Sequence, residues 1–340
     1  MNLSDSKRRL SVAPMMERTD RHCRFLLRLL APNAWLYTEM ITTAALVRGD
    51  PEHLLQFDDS EHPVALQLGG SDPAELAQAA RYGQDAGYDE INLNVGCPSD
   101  RVQAGRFGAV LMAEPQQVAA GVAAMSDAVD VPVTVKTRLG IDNQDSYEFL
   151  HSFVGAVTEA GCRTIIVHAR KAWLSGLSPK QNREVPPLDY ARVYRLKDDY
   201  PQLEVIINGG LMSEEQILTQ LEHVDGVMLG RHAYRHPYWL AQLDHVLFGA
   251  PPPPSRERVL AMFLPYLRRE LSKGTSLKSM TRHLLGLYAG QPVGRRWRRF
   301  LAELPHGEPG LTALQEHAVA NPAARSSAPY RGQAAVSTAG

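Results

Sequence analysis

The sequence predicts an α/β fold, a (β/α)8 TIM barrel followed by a small all-helical C-terminal domain. Apolar stretches typical of β-strands recur eight times before residue 250, and segments with apolar residues at helical spacing separate most of them. Eight such units within about 245 residues have the size of this barrel. A run of four prolines at 251–254 then ends the pattern.

The predicted strands and helices alternate along the first 250 residues. The strands are 10–16, 35–41, 63–68, 90–95, 131–137, 164–168, 203–208 and 226–229. The helices are 20–30, 74–86, 115–129, 146–160, 189–200 and 213–223. The second unit is the weakest, because residues 42–62 have the pattern of short helix and loop. An open doubly wound sheet is the alternative, but it normally needs a glycine-rich turn after the first strand, where this chain has Pro14, Met15 and Met16.

The proline run predicts a boundary between two parts of the chain. Consecutive prolines favour a stiff extended spacer, so we predict a barrel domain at 1–249, a linker at 250–255 and a helical domain at 256–320. Residues 321–340 contain few large apolar side chains. Because such a segment buries too little surface to offset the entropy lost on ordering, we predict a disordered tail.

Charge is distributed unevenly along the chain. The formal net charge is −1, yet residues 255–300 contain eleven Lys or Arg and two acidic residues, a net charge of +9. The rest of the chain therefore carries −10. A basic module attached to an acidic body favours a polyanionic partner, and the alternative is a solvated helical face.

The three cysteines have irregular spacing and form neither a disulfide framework nor a zinc pattern, so no metal site is predicted. Cys23 and Cys162 lie in apolar or amphipathic segments and are predicted to be packing residues. The first ten residues lack an apolar signal core, and no charge-free segment has transmembrane length. These features predict a soluble cytoplasmic protein with no membrane partner and no obligate protein partner.

Cys97 occupies the most informative position in the sequence. It follows the predicted strand 90–95, whose apolar residues alternate, and the flanking Gly96 and Pro98 end that strand. A TIM barrel builds its active site at the C-terminal ends of its strands, so the thiol is predicted to face that site. The alternative role for Cys97 is that of a small buried apolar residue.

Polar or special residues collect at the other predicted strand ends. Gly209 and Gly210 after strand seven, with Gly230 and Arg231 after strand eight, have the pattern of the barrel phosphate site. A flavin also needs an apolar platform, hydrogen bonds along its pyrimidine edge and a cation near N1 and O2. The residues that can supply these are Met15, Met16, Gln67 and Lys136. Together they predict a flavin mononucleotide (FMN) site, although Lys136 or His168 taken singly could instead pair with a carboxylate.

Four segments together resemble the tRNA-dihydrouridine synthases. They are Ala13-Pro14-Met15-Met16, Asn92-Leu93-Asn94-Val95-Gly96-Cys97-Pro98, Val135-Lys136-Thr137-Arg138-Leu139-Gly140 and Asn208-Gly209-Gly210. The resemblance covers residues 10 to 300, and the segment 168–190 resembles specifically the bacterial A branch of that family. The cysteine motif is highly specific, and the segment 168–190 is more so.

The resemblance implies an FMN enzyme that uses NADPH to reduce uridines 20 and 20a in the D-loop of tRNA to 5,6-dihydrouridine. By resemblance, FMN would contact Pro14, Met15, Met16, Gln67, Lys136, His168, Asn208, Gly209, Gly210, Gly230 and Arg231. Cys97 would be the general acid at C5 while a hydride reaches C6, since an unperturbed thiol is mostly protonated at neutral pH. Candidate tRNA contacts are Asn94, Lys180, Arg183, and Arg296 or Arg299.

Two other functions stay open at this point. A flavin barrel that reduces a small enone or pyrimidine explains the strand ends but gives the basic module no role. A non-catalytic RNA-binding protein explains the module but does not explain Cys97 together with Lys136. The colour of the purified protein and the oxidation of its reduced flavin by tRNA distinguish the three functions.

Overall fold

A computed structural model describes residues 7–320 of the chain, so residues 1–6 and the predicted tail at 321–340 lie outside it. All strand pairs are parallel, and the strands are β1 (Leu10–Val12), β2 (Trp35–Tyr37), β3 (Ile41–Thr42), β4 (Val64–Gly69), β5 (Glu90–Val95), β6 (Val133–Arg138), β7 (Thr164–His168), β8 (Glu204–Asn208) and β9 (Gly226–Leu229). β1 pairs with both β2 and β9, and β2 also pairs with β4, which closes an eight-stranded barrel. The predicted TIM barrel is confirmed.

Alternate residues of each strand point to opposite sides of the barrel wall. In β5, Ile91, Leu93 and Val95 belong to the large apolar core between the strands and the surrounding helices. Glu90 and Asn92, on the other face, bond to residues of other strands inside the barrel. The apolar alternation seen in the sequence is therefore the side that faces the helices, and the polar residues between are the inner wall.

Helices cover the outside of the barrel. They are α1 (Arg21–Leu30), α2 (Thr43–Arg48), α3 (Pro51–Leu54), α4 (Pro73–Asp85), α5 (Asp100–Ala104), α6 (Pro115–Ser126), α7 (Tyr147–Glu159), α8 (Tyr190–Asp199), α9 (Glu214–Leu221), α10 (Arg231–Arg235) and α11 (Pro237–Phe248). Several begin after a side chain that accepts an N–H from the first turn, as Asp20 accepts from Cys23 (2.9 Å) and Ser146 from Phe149 (3.1 Å).

Two predicted strands are too long. The strand predicted over 10–16 ends at Val12, because Pro14 has no N–H for a ladder and residues beyond it turn over the barrel mouth. The strand predicted over 35–41 ends at Tyr37, and a separate two-residue strand, β3, pairs with the end of β4. The weak second unit consists of α2, α3 and a 3-10 turn, as its sequence pattern indicates.

Helices also follow the proline run, as predicted. They are α12 (Arg256–Ser272), α13 (Leu277–Thr281), α14 (Gly294–Ala302) and α15 (Glu308–Ala320), and we call residues 256–320 the helical module. Its apolar cluster includes Phe263 and Trp297 and continues into Leu26 and Leu30 of α1 and Ala241 of α11. Among the described residues, no helix combines the length and apolar character that a bilayer crossing requires. The division of the chain into separate domains stays a prediction.

Candidate active site

The ends of β5 to β8 bring four predicted site residues to adjacent positions on the inner wall. Asn94 is in register with Lys136, and His168 is in register with Asn208. Lys136 Nζ donates to Asn208 Oδ1 (3.3 Å), and Asn208 Nδ2 donates to the carbonyl of Met228 (2.7 Å). The Asn208 amide is thus fixed with its oxygen toward the lysine.

Lys136 is buried in a site where its charged form is disfavoured. Burial, and to a smaller extent the nearby Arg138, lower the pKa of its ammonium to about 7, while Cys97 acts in the opposite direction. Among the described residues no carboxylate contributes to the pKa of Lys136, and Asn208 is its neutral hydrogen-bond partner. An anionic ligand would therefore stabilise the charged form of this lysine.

The loop that carries Cys97 is held from two neighbouring strands. Asn94 Oδ1 accepts the backbone N–H groups of Gly96 and Cys97, both at 3.0 Å. Arg138 Nε donates to the carbonyl of Gly96 (2.8 Å). The Cys97 thiol is half-buried and lies 3.5 Å from the Ser99 hydroxyl. The thiol is therefore accessible while its backbone is fixed.

His168 lies beneath the glycines that follow β8. Burial, with Arg138 and Lys136 nearby, holds the pKa of His168 well below its usual range, so the imidazole is neutral. At Gly209 φ is +120°, and a Cβ there would lie 2.8 Å from His168 Cδ2. Gly210 has φ +73°. A side chain at either position would strain the turn, so the backbone can approach His168 only as glycine.

The loop after β9 begins with Gly230, which has open space around it, and continues with the positively charged Arg231. A Cβ at Gly230 would meet nothing within 4 Å. Arg231 Nη1 lies 2.6 Å from Glu184 Oε1, and both side chains are partly exposed. An anion at Arg231 would therefore share this guanidinium with Glu184.

The predicted contacts on β1 and β4 differ in exposure. Met15 packs against the barrel core, whereas Met16 is 57% exposed beside the partly buried Pro14. Gln67 is 1% exposed, and its amide donates to Asn92 (2.8 Å) and accepts from Asn94 (2.9 Å). The Gln67 amide thus keeps one N–H and one oxygen lone pair for a ligand.

The candidate tRNA contacts lie in three places. Lys180 and Arg183 are exposed at the two ends of a 3-10 turn in the loop after β7, next to the barrel mouth. Arg296 and Arg299 are exposed on α14 of the helical module, where Arg299 pairs with Glu303 (2.9 Å). Asn94 is at the end of β5 beside Cys97, separate from the other two places.

Comparison with known proteins identifies the family. Residues 11–323 match the family described as Dihydrouridine synthase (Dus). The chain belongs to the dihydrouridine synthase family. Proteins named tRNA-dihydrouridine(20/20a) synthase are similar over most of their length: the one from Shewanella oneidensis is 58% identical over 90% of this chain and 92% of its own. Those from Vibrio cholerae (57%; 89% and 92%) and Escherichia coli K12 (56%; 92% and 90%) are also similar. Dihydrouridine synthases depend on a flavin in general.

The site of this dihydrouridine synthase includes two supporting residues, Arg138 and Asn182, for which the sequence predicted no role. Arg138 bonds to the carbonyls of Lys171 (3.1 Å) and Asn182 (3.0 Å) as well as Gly96, so it joins the loops after β5 and β7. Asn182 is fully buried and bonds to both the N–H (2.7 Å) and the carbonyl (2.8 Å) of Trp173. Arg138 could have been found from its two-residue spacing from Lys136, but Asn182 lies in a loop without a period.

Proposed function

We propose that this chain reduces uridines 20 and 20a in the D-loop of tRNA to 5,6-dihydrouridine, with FMN as its flavin and NADPH as reductant. The observation that carries the proposal is identity of 56–58% over about nine tenths of each chain to proteins named for this activity. A substrate of this kind places the enzyme in the cytoplasm. The cysteine loop and the buried lysine at the barrel mouth support the same function.

The residues at the mouth fit FMN. The desolvated ammonium of Lys136 has a neutral neighbour and suits a ring that becomes anionic on reduction. The turns at Gly209 and Gly230 expose backbone next to Arg231, which suits a phosphate. We assign the FMN contacts to Pro14, Met15, Met16, Gln67, Lys136, His168, Asn208, Gly209, Gly210, Gly230 and Arg231. FMN, when bound, would supply the hydride to C6 of the uracil ring.

Cys97 holds the proton that C5 receives. Its thiol is accessible at the strand end, and its backbone is fixed by Asn94 and Arg138, so the donor has a defined position before the substrate arrives. Lys136 stabilises negative charge beside it, and the neutral His168 adds hydrogen-bonding capacity without a second charge.

The target base must leave its stack in the tRNA loop to reach Cys97, and this unstacking costs about 2–4 kcal/mol of binding free energy. Exposed cations near the mouth, Lys180 and Arg183, and on α14, Arg296 and Arg299, would offset this by contacting the tRNA backbone. Asn94 would contact the inserted base next to Cys97.

One experiment tests the proposal directly. The purified protein is expected to be yellow, to be bleached by NADPH without oxygen, and to regain its colour when unmodified tRNA is added. The matched control is tRNA whose uridines at 20 and 20a are replaced by cytidine. Recovery of colour with a small enone but not with tRNA would favour a small-molecule reductase, and a colourless protein that binds tRNA would favour a non-catalytic RNA-binding protein.

A further inference from the structure

Four buried side chains and one partly buried side chain inside the barrel form one continuous line of hydrogen bonds that ends at the cysteine loop. We call it the inner-wall chain, and its members are Glu90, Thr134, Asn92, Gln67 and Asn94. From the barrel floor upward, the donor-to-acceptor distances are 2.5 Å (Thr134 to Glu90), 2.8 Å (Asn92 to Thr134), 2.8 Å (Gln67 to Asn92) and 2.9 Å (Asn94 to Gln67). The last member accepts the N–H groups of Gly96 and Cys97 at 3.0 Å.

The lower end fixes the direction of this chain. Glu90 is 0% exposed and accepts from Arg8 Nε (2.6 Å) and from the Tyr37 hydroxyl (2.9 Å). A carboxylate with these donors has only acceptor capacity left, so the Thr134 hydroxyl must direct its single proton toward Glu90. The oxygen of Thr134 is then free to accept from the next member.

Each amide passes this direction upward, because its donor and acceptor lie at opposite ends of one planar group. Asn92 must turn its NH2 toward Thr134, which leaves its oxygen facing Gln67. Gln67 then turns its NH2 toward Asn92 and its oxygen toward Asn94. Asn94 in turn directs its NH2 at Gln67 and its oxygen at the backbone of the cysteine loop.

The upper end requires the same direction. The N–H groups of Gly96 and Cys97 need an acceptor, and a reversed Asn94 amide would oppose them with a second donor. Reversal would also take the Thr134 proton away from Glu90. Both ends therefore select one arrangement, and a carboxylate at the barrel floor sets the orientation of an amide next to the thiol.

We infer that Glu90, Thr134 and Asn92 are positioning residues that hold Cys97 in place through Gln67 and Asn94, without touching the substrate. This rests on the proposed function for its catalytic consequence. Its structural consequence, the fixed position of the Cys97 backbone, holds in the flavin-free protein as well.

The test is a matched pair of substitutions at Thr134, which is 0% exposed. Thr134→Val keeps the shape and removes the hydroxyl, which interrupts the chain, whereas Thr134→Ser keeps the hydroxyl and loses a methyl group. Two quantities are measured: the rate constant at which saturating tRNA oxidises the NADPH-reduced protein in a single turnover, and the rate of Cys97 alkylation by iodoacetamide in flavin-free protein. Cys23 and Cys162 are each 1% exposed and report unfolding if they react.

We expect Thr134→Val to accelerate Cys97 alkylation by about three- to tenfold, the effect of one lost buried hydrogen bond on a local equilibrium. The tRNA oxidation rate constant should fall by a similar factor with little change in the tRNA concentration for half-saturation, and Thr134→Ser should restore both values. The inference is overturned if Thr134→Val and Thr134→Ser have the same Cys97 alkylation rate and the same tRNA oxidation rate constant. This holds whether both variants differ from the wild type or both match it.

A second variant covers the case in which Thr134→Val does not fold. Glu90→Gln keeps the size of the side chain, and Arg8 should hold its carbonyl, so its NH2 would face Thr134 and reverse the chain. It should match Thr134→Val in Cys97 alkylation, and unchanged alkylation contradicts the inference. If the reduced wild-type protein is not oxidised by tRNA, the proposed function fails, and the alkylation rates alone decide the inference.

Discussion

The barrel mouth and helix α14 both concentrate positive charge, but they hold it in opposite environments. Lys136 is desolvated, contacts a neutral amide, and has a pKa lowered to about 7 by burial. α14 buries Trp297 and Leu301 and exposes four arginines to solvent. They are Arg295, Arg296, Arg298 and Arg299. One region holds a lysine whose charge is disfavoured until an anion binds, and the other holds cations that water already stabilises.

Because the two environments differ, substitutions at the mouth should affect the reaction, whereas substitutions on α14 should affect tRNA affinity. A charge in a low-dielectric site interacts strongly with the few groups that touch it, so its removal should change the cofactor or the reaction. An exposed charge is screened within about 8–10 Å by salt, so its removal should change the strength and salt dependence of tRNA binding. The two regions should thus respond to substitution in different kinetic constants.

The largest expected effect belongs to Cys97→Ala. Flavin content and reduction by NADPH should be retained, while dihydrouridine formation in a single turnover should fall by about 10²- to 10⁴-fold, the usual contribution of a general acid. The matched control is Cys162→Ala, because Cys162 is buried away from the mouth. Unchanged turnover on tRNA in Cys97→Ala would remove the thiol from the reaction.

Lys136→Met should have the next largest effect, on the cofactor and not on tRNA. Loss of a charge-assisted contact should weaken FMN retention by about tenfold or more, measured by equilibrium dialysis of the purified protein. Arg231→Ala should weaken FMN binding through the phosphate by a smaller factor, since Glu184 shares its guanidinium. Lys197→Met is the control, because Lys197 pairs with Asp225 (2.8 Å) at the opposite end of β8. Full, normally reducible flavin in both site variants would contradict the assignment of this face.

The lowered pKa of Lys136 predicts a pH effect. Between about 7 and its ordinary value of 10.5, this lysine is neutral in the folded flavin-free protein and charged in the unfolded chain. The unfolded chain binds more protons there, so the stability of the flavin-free protein should increase with pH across this window. FMN binding restores the charge and should take up close to one proton at about pH 8.5. Calorimetry in buffers of different ionisation enthalpy measures the uptake, which Lys136→Met should abolish.

The smallest effect per residue is expected on α14. Replacing Arg295, Arg296, Arg298 and Arg299 by Gln should weaken tRNA binding and reduce its salt slope by at most about one unit per residue. NADPH oxidation with an artificial acceptor should not change. The control replaces Arg48 and Arg195, exposed on outer barrel helices, by Gln. If filter binding across salt concentrations gives the same slope for both sets, the α14 face does not hold tRNA.

The barrel could be predicted from the sequence because strands and helices have local periods, and Cys97 could be placed because Gly96 and Pro98 mark a strand end. Strand ends were less accurate, as in β1, where pairing stops before Pro14. Two-residue β3 is too short to have a period. The accuracy with which an element can be predicted therefore depends on how many of its residues share one pattern.

Contacts between distant segments could not be predicted in this way. The alternation puts Glu90 and Asn92 on one face of β5, but only the register between β5 and β6 shows that the Thr134 hydroxyl bonds to both of them. The +9 charge of residues 255–300 likewise does not reveal that Arg269 pairs with Asp58, 211 positions earlier. The number of charges can be read from the sequence, whereas the tertiary structure determines which of them are already neutralised by ion pairs.

Helix α1 couples the unfolding of the barrel to the unfolding of the helical module, because it contributes residues to both apolar cores. Its Cys23 and Leu27 belong to the barrel core, whereas Leu26 and Leu30 belong to the core of the module. A chain cut before residue 256 would expose the second pair to water and leave an apolar stripe that favours aggregation. The two parts should therefore melt in one cooperative transition, and a destabilising substitution in either core should lower the same melting temperature.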